Sequence, residues 1–265
     1  MRTSVCIEMI YTELPFLDRI WKAAEAGFDA FEFWGWEDKD LPALVKTAAD
    51  AQIELLMFQA NRKGTMIHPV HQNEVIRGVA DSLTVASDLG VRQLFLLTDE
   101  LGADRSVVHS YQELTEDMKS RSVQECLEQM AGLADAKGIT LCLEVLNTRV
   151  DHSGYWLNHA DLGFDLIRRV NSPNLRLLFD CYHVQIMDGN LIPNIRDNLE
   201  LIGHVHVADT PGRHEPGTGE INYANVFKAL GAAGYAGYVG MEFVPTGESD
   251  QSVAEALQMV RASSM

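Results

Sequence analysis

Lys137-Gly-Ile-Thr140-Leu-Cys-Leu-Glu144-Val-Leu-Asn147 carries the pattern that decides the fold. A Gly closes a helical run, where a left-handed residue past the last turn is wanted, and an apolar stretch of strand length follows and ends in polar side chains. The same helix-to-strand junction recurs at Ala26-Gly-Phe28, Leu89-Gly-Val91 and Ala233-Gly-Tyr235. Four repetitions of one junction indicate one repeated supersecondary unit. Outward from these junctions, short apolar runs at 3–10, 30–34, 54–58, 93–97, 140–145, 175–180, 203–207 and 237–243 read as strands buried on both faces. Segments with helical spacing lie between them at 15–27, 41–51, 73–90, 111–138, 161–170, 190–198, 223–234 and 249–262. Strand-then-helix units without a Pro/Gly/Ser-rich linker predict an α/β fold, a single (β/α)8 TIM barrel over residues 1–265. The competing open, doubly wound sheet lacks its G-x-G-x-x-G fingerprint after the first strand.

Composition agrees with that size and class. The chain has 265 residues, 46% of them apolar, close to the roughly 250 residues of one such barrel. Its 21 Lys+Arg against 38 Asp+Glu give a net charge of −17, which repels phosphate backbones and anionic membrane surfaces, and no basic block interrupts it. Neither nucleic acid nor membrane is an expected partner. Cys6, Cys126, Cys142 and Cys181 lack C-x-x-C spacing and read as buried thiols. Glu8 breaks the apolar start and no cleavage pattern follows, so the expected location is the cytoplasm.

Catalytic groups of such barrels sit where strands end, and the last four strands end in polar residues. Glu144, Asp180, His206 and Glu242 occupy equivalent places and are expected to converge on one mouth. Three carboxylates packed together raise one another's pKa unless a cation intervenes. A mixed oxygen/nitrogen set suits one divalent ion, Mn²⁺, Mg²⁺, Co²⁺ or Zn²⁺. The simpler alternative for any one of them is a cap on the following helix. His183, three residues past Asp180, supports the site or contacts substrate. Arg213, in the Gly/Pro-rich stretch 209–223, and Arg149 are candidate cations for a substrate carboxylate or hydroxyl. Asn147, His152 and Tyr155 follow strand five near the same mouth. No G-x-S-x-G elbow, phosphate loop or H-E-x-x-H helix occurs.

Glu144 in E-V-L-N, Asp180 and His183 in F-D-C-Y-H, His206 in H-V-H-V-A-D, Arg213 in G-R-H-E-P with G-E-I-N-Y after it, and Glu242 in G-M-E-F resemble the xylose-isomerase-like barrels. Within them the chain resembles the hydroxypyruvate isomerase family, also through V-Q-I-M-D-G-N-L after His183 and T-E-L-P-F at Thr12–Phe16. The resemblance spans essentially the whole chain, and the ligand pattern alone is also similar to the ketose 3-epimerases. It implies an isomerase or epimerase that moves a proton next to a carbonyl through an enediolate, with a divalent metal as cofactor. Glu144 and Glu242 would be both ligands and the acid/base pair, Asp180 and His206 would complete the metal set, and His183 and Arg213 would bind substrate oxygens. The implied substrate is a small hydroxy-keto acid of the hydroxypyruvate/tartronate semialdehyde type, with a 2-oxo-tetronate or a keto-sugar as alternatives. Barrels resembling this one often form homo-oligomers through their outer helices.

The departures from the family pattern fall in the segments after strands three and four, in Asn147-Thr-Arg-Val-Asp-His-Ser-Gly-Tyr-Trp, and at His206, where some family members carry Gln. Two readings from other classes are a DNA repair enzyme of the endonuclease IV type and a non-catalytic sugar-binding barrel. The first needs His ligands at the ends of strands three and four, where this chain has Phe58-Gln59 and Leu97-Thr98. The second does not account for an intact pair of strand-end glutamates.

Overall fold

A computed structural model describes residues 1–61 and 63–262. Eight parallel strands, β1 (Arg2–Cys6), β2 (Ala30–Phe33), β3 (Glu54–Gln59), β4 (Gln93–Leu96), β5 (Thr140–Glu144), β6 (Leu175–Asp180), β7 (Ile202–Val207) and β8 (Tyr238–Met241), pair in sequence order and close with β8 on β1. This is the (β/α)8 barrel that the repeated junctions predict. Outside it run α1 (Phe16–Ala26), α2 (Leu41–Asp50), α3 (Gln72–Leu89), α4 (Glu116–Asp135), α5 (Ala160–Val170), α6 (Cys181–Met187), α7 (Leu191–Asn198), α8 (Tyr223–Ala233) and α9 (Ser249–Ala262). Gly27, Gly90 and Gly234 end α1, α3 and α8 in the left-handed conformation. Gly138 also has positive φ, but α4 has already stopped at Asp135.

Strand alternation divides the apolar residues into two cores. Phe31, Phe33, Leu141, Leu143, Leu177, Phe179, Val205 and Val207 face outward and pack with the helices. Ala30, Met57, Phe95, Cys142, Leu178 and Tyr238 fill the barrel itself. Tyr238 donates to Glu54 and accepts from Arg2 at 2.9 Å, closing the end where the strands begin. The same alternation turns the side chains of Glu32, Glu144, Asp180 and His206 inward, nearer the opposite end.

Three elements differ from the sequence expectation. The first strand ends at Cys6 rather than residue 10, because its pairing with the short β2 stops at Cys6–Glu32. Ile7, Met9 and Ile10 remain buried, so burial accounts for the apolar run without strand pairing. α4 starts at Glu116, where the Thr115 side chain accepts from the Met118 N–H at 3.3 Å, rather than at residue 111. α6 was not expected; it follows β6 directly, and Asp180 is both the last strand residue and the helix N-cap. All four cysteines are buried and free, and no helix among the described residues is long and apolar enough to cross a membrane.

Candidate active site

Glu144, the last residue of β5, and Glu242, the first past β8, meet Asp180 and His206 at the barrel mouth. One ligand atom from each of these four buried side chains lies within 4.8 Å of the others. His206 directs Nδ1 at the carboxylates, 3.5 Å from Glu242 Oε2 and 3.8 Å from Glu144 Oε1. Among the described residues neither that nitrogen nor Asp180 Oδ2 has a hydrogen-bond partner. Asp180 divides its work: Oδ1 accepts from the Tyr182 N–H at 2.8 Å as the α6 cap, leaving Oδ2 for the site. Cap and candidate ligand are therefore one residue. Buried, partnerless atoms on an oxygen-rich set with one imidazole nitrogen suit a hard or borderline divalent ion.

The carboxylates are not equivalent. Burial, with repulsion from Glu242 and Asp180, pushes the Glu144 carboxyl up to about 7. Burial alone would also raise Glu242, but Arg213 and His206 overcome it and hold that carboxyl well below the usual range. The contact behind this is Arg213 Nη2 to Glu242 Oε2 at 2.5 Å, while the Trp34 indole N–H donates to Oε1 at 3.0 Å. Burial raises Asp180 to about 6. His206 is pressed down by burial, yet Glu32 and Glu242 keep it well above its ordinary value.

Arg213 is fixed by its loop. Asp209, just past β7, accepts from the backbone N–H groups of Thr210, Gly217 and Ile221, and the Val244 N–H donates to the Arg213 carbonyl at 2.8 Å. His183 lies in the first turn of α6. Its Nδ1 accepts from the Asn147 backbone N–H at 3.2 Å, which leaves the ring proton on Nε2, 3.5 Å from Asp180 Oδ2. Burial and the charge of Arg213 hold its pKa well below the ordinary value, so this imidazole is neutral.

A cavity of about 400 Å³ opens over Glu144, Glu242, His183 and Arg213, a size suited to a small ligand. Its other walls include Trp34, Gln59, Phe95, Leu97, Arg105 and His152. The structure thus brings together Glu144, Asp180, His206, Glu242, His183 and Arg213. Asn147 is fully buried behind His183, and Arg149 is exposed outside the cavity lining. Tyr155 is buried and donates to the Glu144 carbonyl at 3.0 Å, a scaffold contact.

Sequence reasoning missed Glu32, Trp34 and Arg105. Glu32 sits inside β2 with Oε2 3.0 Å from His206 Nε2. Its one sequence signal is an acid within the apolar run Ala30-Phe-Glu32-Phe-Trp34, where a buried charge demands a partner. Trp34 ends that same run. Arg105 stands in the segment after β4, with its guanidinium 5.9 Å from the centre of the Trp34 ring and no ion pair among the described residues.

Comparison with known proteins agrees with this geometry. The chain belongs to the xylose isomerase-like TIM barrel family, whose model matches residues 20–263. Its relatives include proteins named hydroxypyruvate isomerase and 2-oxo-tetronate isomerase. The chain is 31% identical to the hydroxypyruvate isomerase of Escherichia coli over 92% of its own length and 94% of the relative's. It is 30% identical to the 2-oxo-tetronate isomerase of Cupriavidus necator, over 92% and 93%. A solved structure from Brucella melitensis, titled AP endonuclease, family 2, superposes with a TM-score of 0.87 at 30% identity, covering 97% of this chain and 98% of that one. The protein described here is an isomerase. At the ends of β3 and β4, where a DNA repair site of the endonuclease IV type would need histidines, Gln59 and Leu97 line the cavity.

Proposed function

We propose that this isomerase shifts a proton next to the carbonyl of a small hydroxy-keto acid, of the hydroxypyruvate or 2-oxo-tetronate kind, with one divalent ion (Mn²⁺, Mg²⁺, Co²⁺ or Zn²⁺) held by Glu144, Asp180, His206 and Glu242. The observation that carries the reading is the pair of buried glutamates lining one cavity, each with a ligand atom within 4.8 Å of Asp180 and His206, and set apart by Arg213, which pairs with Glu242. Pairs separated in this way divide acid and base roles between them. The ion, when bound, would supply Lewis-acid stabilisation of the charge developing on the carbonyl oxygen.

Glu242, kept ionised by Arg213, takes the proton from the carbon beside the carbonyl. Glu144 delivers a proton at the neighbouring carbon as the substrate's hydroxyl proton passes to the former carbonyl oxygen, and the two glutamates then exchange protons with solvent to reset the pair. His183 offers its Nε2–H to a substrate oxygen, and Asn147 keeps that proton on Nε2. Arg213 is largely neutralised by Glu242 and by Asp180, whose Oδ2 lies 3.8 Å away. Arg105 is then the cavity cation with charge to spare for a substrate carboxylate, which favours a keto acid over a neutral ketose.

The test is NMR-monitored conversion by purified protein, metal-stripped and then supplied with Mn²⁺ or Mg²⁺. Hydroxypyruvate, a 2-oxo-tetronate and neutral ketoses form the substrate panel. Metal-dependent turnover of a keto acid in preference to every ketose is expected. Preference for a ketose would replace the proposal with the epimerase reading, to which His206 conforms.

A further inference from the structure

Below the four strand-end residues lies a second layer of polar side chains inside the barrel: Ser4 of β1, Glu32 of β2 and His204 of β7, all buried. Glu32 Oε2 stands 3.0 Å from His206 Nε2 and 3.3 Å from His204 Nε2, and Glu32 Oε1 accepts from the Ser4 hydroxyl at 2.9 Å. Space for this group depends on Gly240 of β8. A Cβ there would stand 2.7 Å from His204 Nε2 and 2.7 Å from His206 Cδ2, and closer still to Glu32 Oε1. Register brings these strands together, since Gly240 pairs with Ser4 on one side and His206 on the other.

We infer that Glu32 is a positioning residue for the metal site: it accepts the Nε2–H of His206 and thereby keeps the Nδ1 lone pair of that ring aimed at Glu144, Asp180 and Glu242. An ionised carboxylate can only accept, so the hydrogen between Glu32 and His206 belongs to the imidazole. Among the described residues Nδ1 is the His206 nitrogen without a hydrogen-bond partner, and it lies 3.8 Å from Glu144 and 3.5 Å from Glu242 within the four-residue cluster that includes Asp180. A carboxylate behind a ligating histidine fixes the tautomer and strengthens the nitrogen as a donor. Ser4 holds the far oxygen of Glu32, and Gly240 leaves room for the carboxylate to reach. Glu32, His204 and His206 also lie close enough to hold an ion of their own. That alternative needs the lone pair of His206 Nε2, the nitrogen already hydrogen-bonded to Glu32.

The inference rests on the metal reading of the strand-end cluster, and calorimetric titration of metal-stripped protein with Mn²⁺ separates the two. Wild type is expected to bind one ion per chain. Glu32→Ala, with unchanged circular dichroism, is expected to keep that stoichiometry but bind about 10- to 100-fold more weakly. Glu32→Gln, whose amide oxygen can still accept, should lose less. Proton–nitrogen NMR of the Zn²⁺-loaded wild type should show His206 protonated at Nε2 and not at Nδ1. Should Glu32→Ala not fold, Ser4→Ala, which frees one Glu32 oxygen, is expected to weaken Mn²⁺ about threefold. Undiminished affinity in folded Glu32→Ala, two ions per wild-type chain, or a proton on Nδ1 would each overturn the inference while leaving a metal site in place. No Mn²⁺ binding by wild type would overturn the metal reading and the inference together.

Discussion

The two halves of the barrel hold different parts of the proposed chemistry. β5 to β8 end in Glu144, Asp180, His206 and Glu242, the groups that could grip an ion and move a proton. β1 to β4 put no such residue among the four. They supply Ser4 and Glu32 behind His206, Trp34 against Glu242, and Gln59, Phe95 and Leu97 along the cavity wall. A closed barrel makes the division workable, because β1 pairs with β8 and the supporting half meets the reacting half without a gap. On the proposed reading, reaction type falls to one half, and support and substrate choice to the other.

The division is broken most directly from the reacting side. Glu144→Gln and Glu242→Gln are each expected to keep the fold and lose two or more orders of magnitude in kcat, roughly the scale for a general acid or base. Steady-state rates beside circular dichroism check this, and wild-type turnover in either variant would remove that residue from the chemistry. From the supporting side, Arg105→Ala should raise KM for a keto acid by about tenfold, the scale of one charge-assisted hydrogen bond, with a much smaller change in kcat. An equal fall in kcat would move Arg105 into the reacting half.

The smallest effect concerns pH. Glu144, at about 7, and Asp180, at about 6, titrate above ordinary carboxylates in the folded protein, so folding favours their protonated forms. Between about pH 5 and 8 the folded state must give up protons that the unfolded chain has already lost. Raised His206 acts in the same direction, since its contribution is present below its unfolded value and lost as pH rises through the folded one. Below about pH 6.5 His152, His183 and His204, held under their ordinary values by burial, act in the opposite direction, so the Tm of metal-stripped protein should fall as pH rises from about 6.5 to 8, and Mn²⁺ should restore more at the alkaline end. A Tm that climbs from about pH 6.5 to 8 would contradict the assignment of Glu144.

The same division explains what could be read in the sequence. Strand-end residues of the second half stand out because each follows a short apolar run, and local pattern locates such runs. Their convergence followed once the repeated Gly junctions gave a barrel. Glu32 carries no motif, and its partner His206 is 174 residues away in sequence, so only the folded register joins them. α6 was hidden because Asp180 looks like the end of a strand whether it ligates, caps or does both. Arg149 and Asn147 are near the mouth in sequence, yet the turn after β5 carries Arg149 to the surface and buries Asn147 behind His183. Arg105 lies in a long connection without periodicity, where pattern says nothing about which side chain points inward.

Proton exchange tests the central claim most directly. With Mn²⁺ or Mg²⁺ in D₂O, wild-type protein should replace the C–H proton beside the carbonyl of its keto acid with deuterium, even where equilibrium hides net conversion. Chelator should stop the exchange, and Glu242→Gln should slow it at least a hundredfold, on the order of a lost general base. Turnover of the keto acid without deuterium entering at either of the two carbons, or undiminished exchange in Glu242→Gln, would contradict proton transfer by the strand-end glutamates.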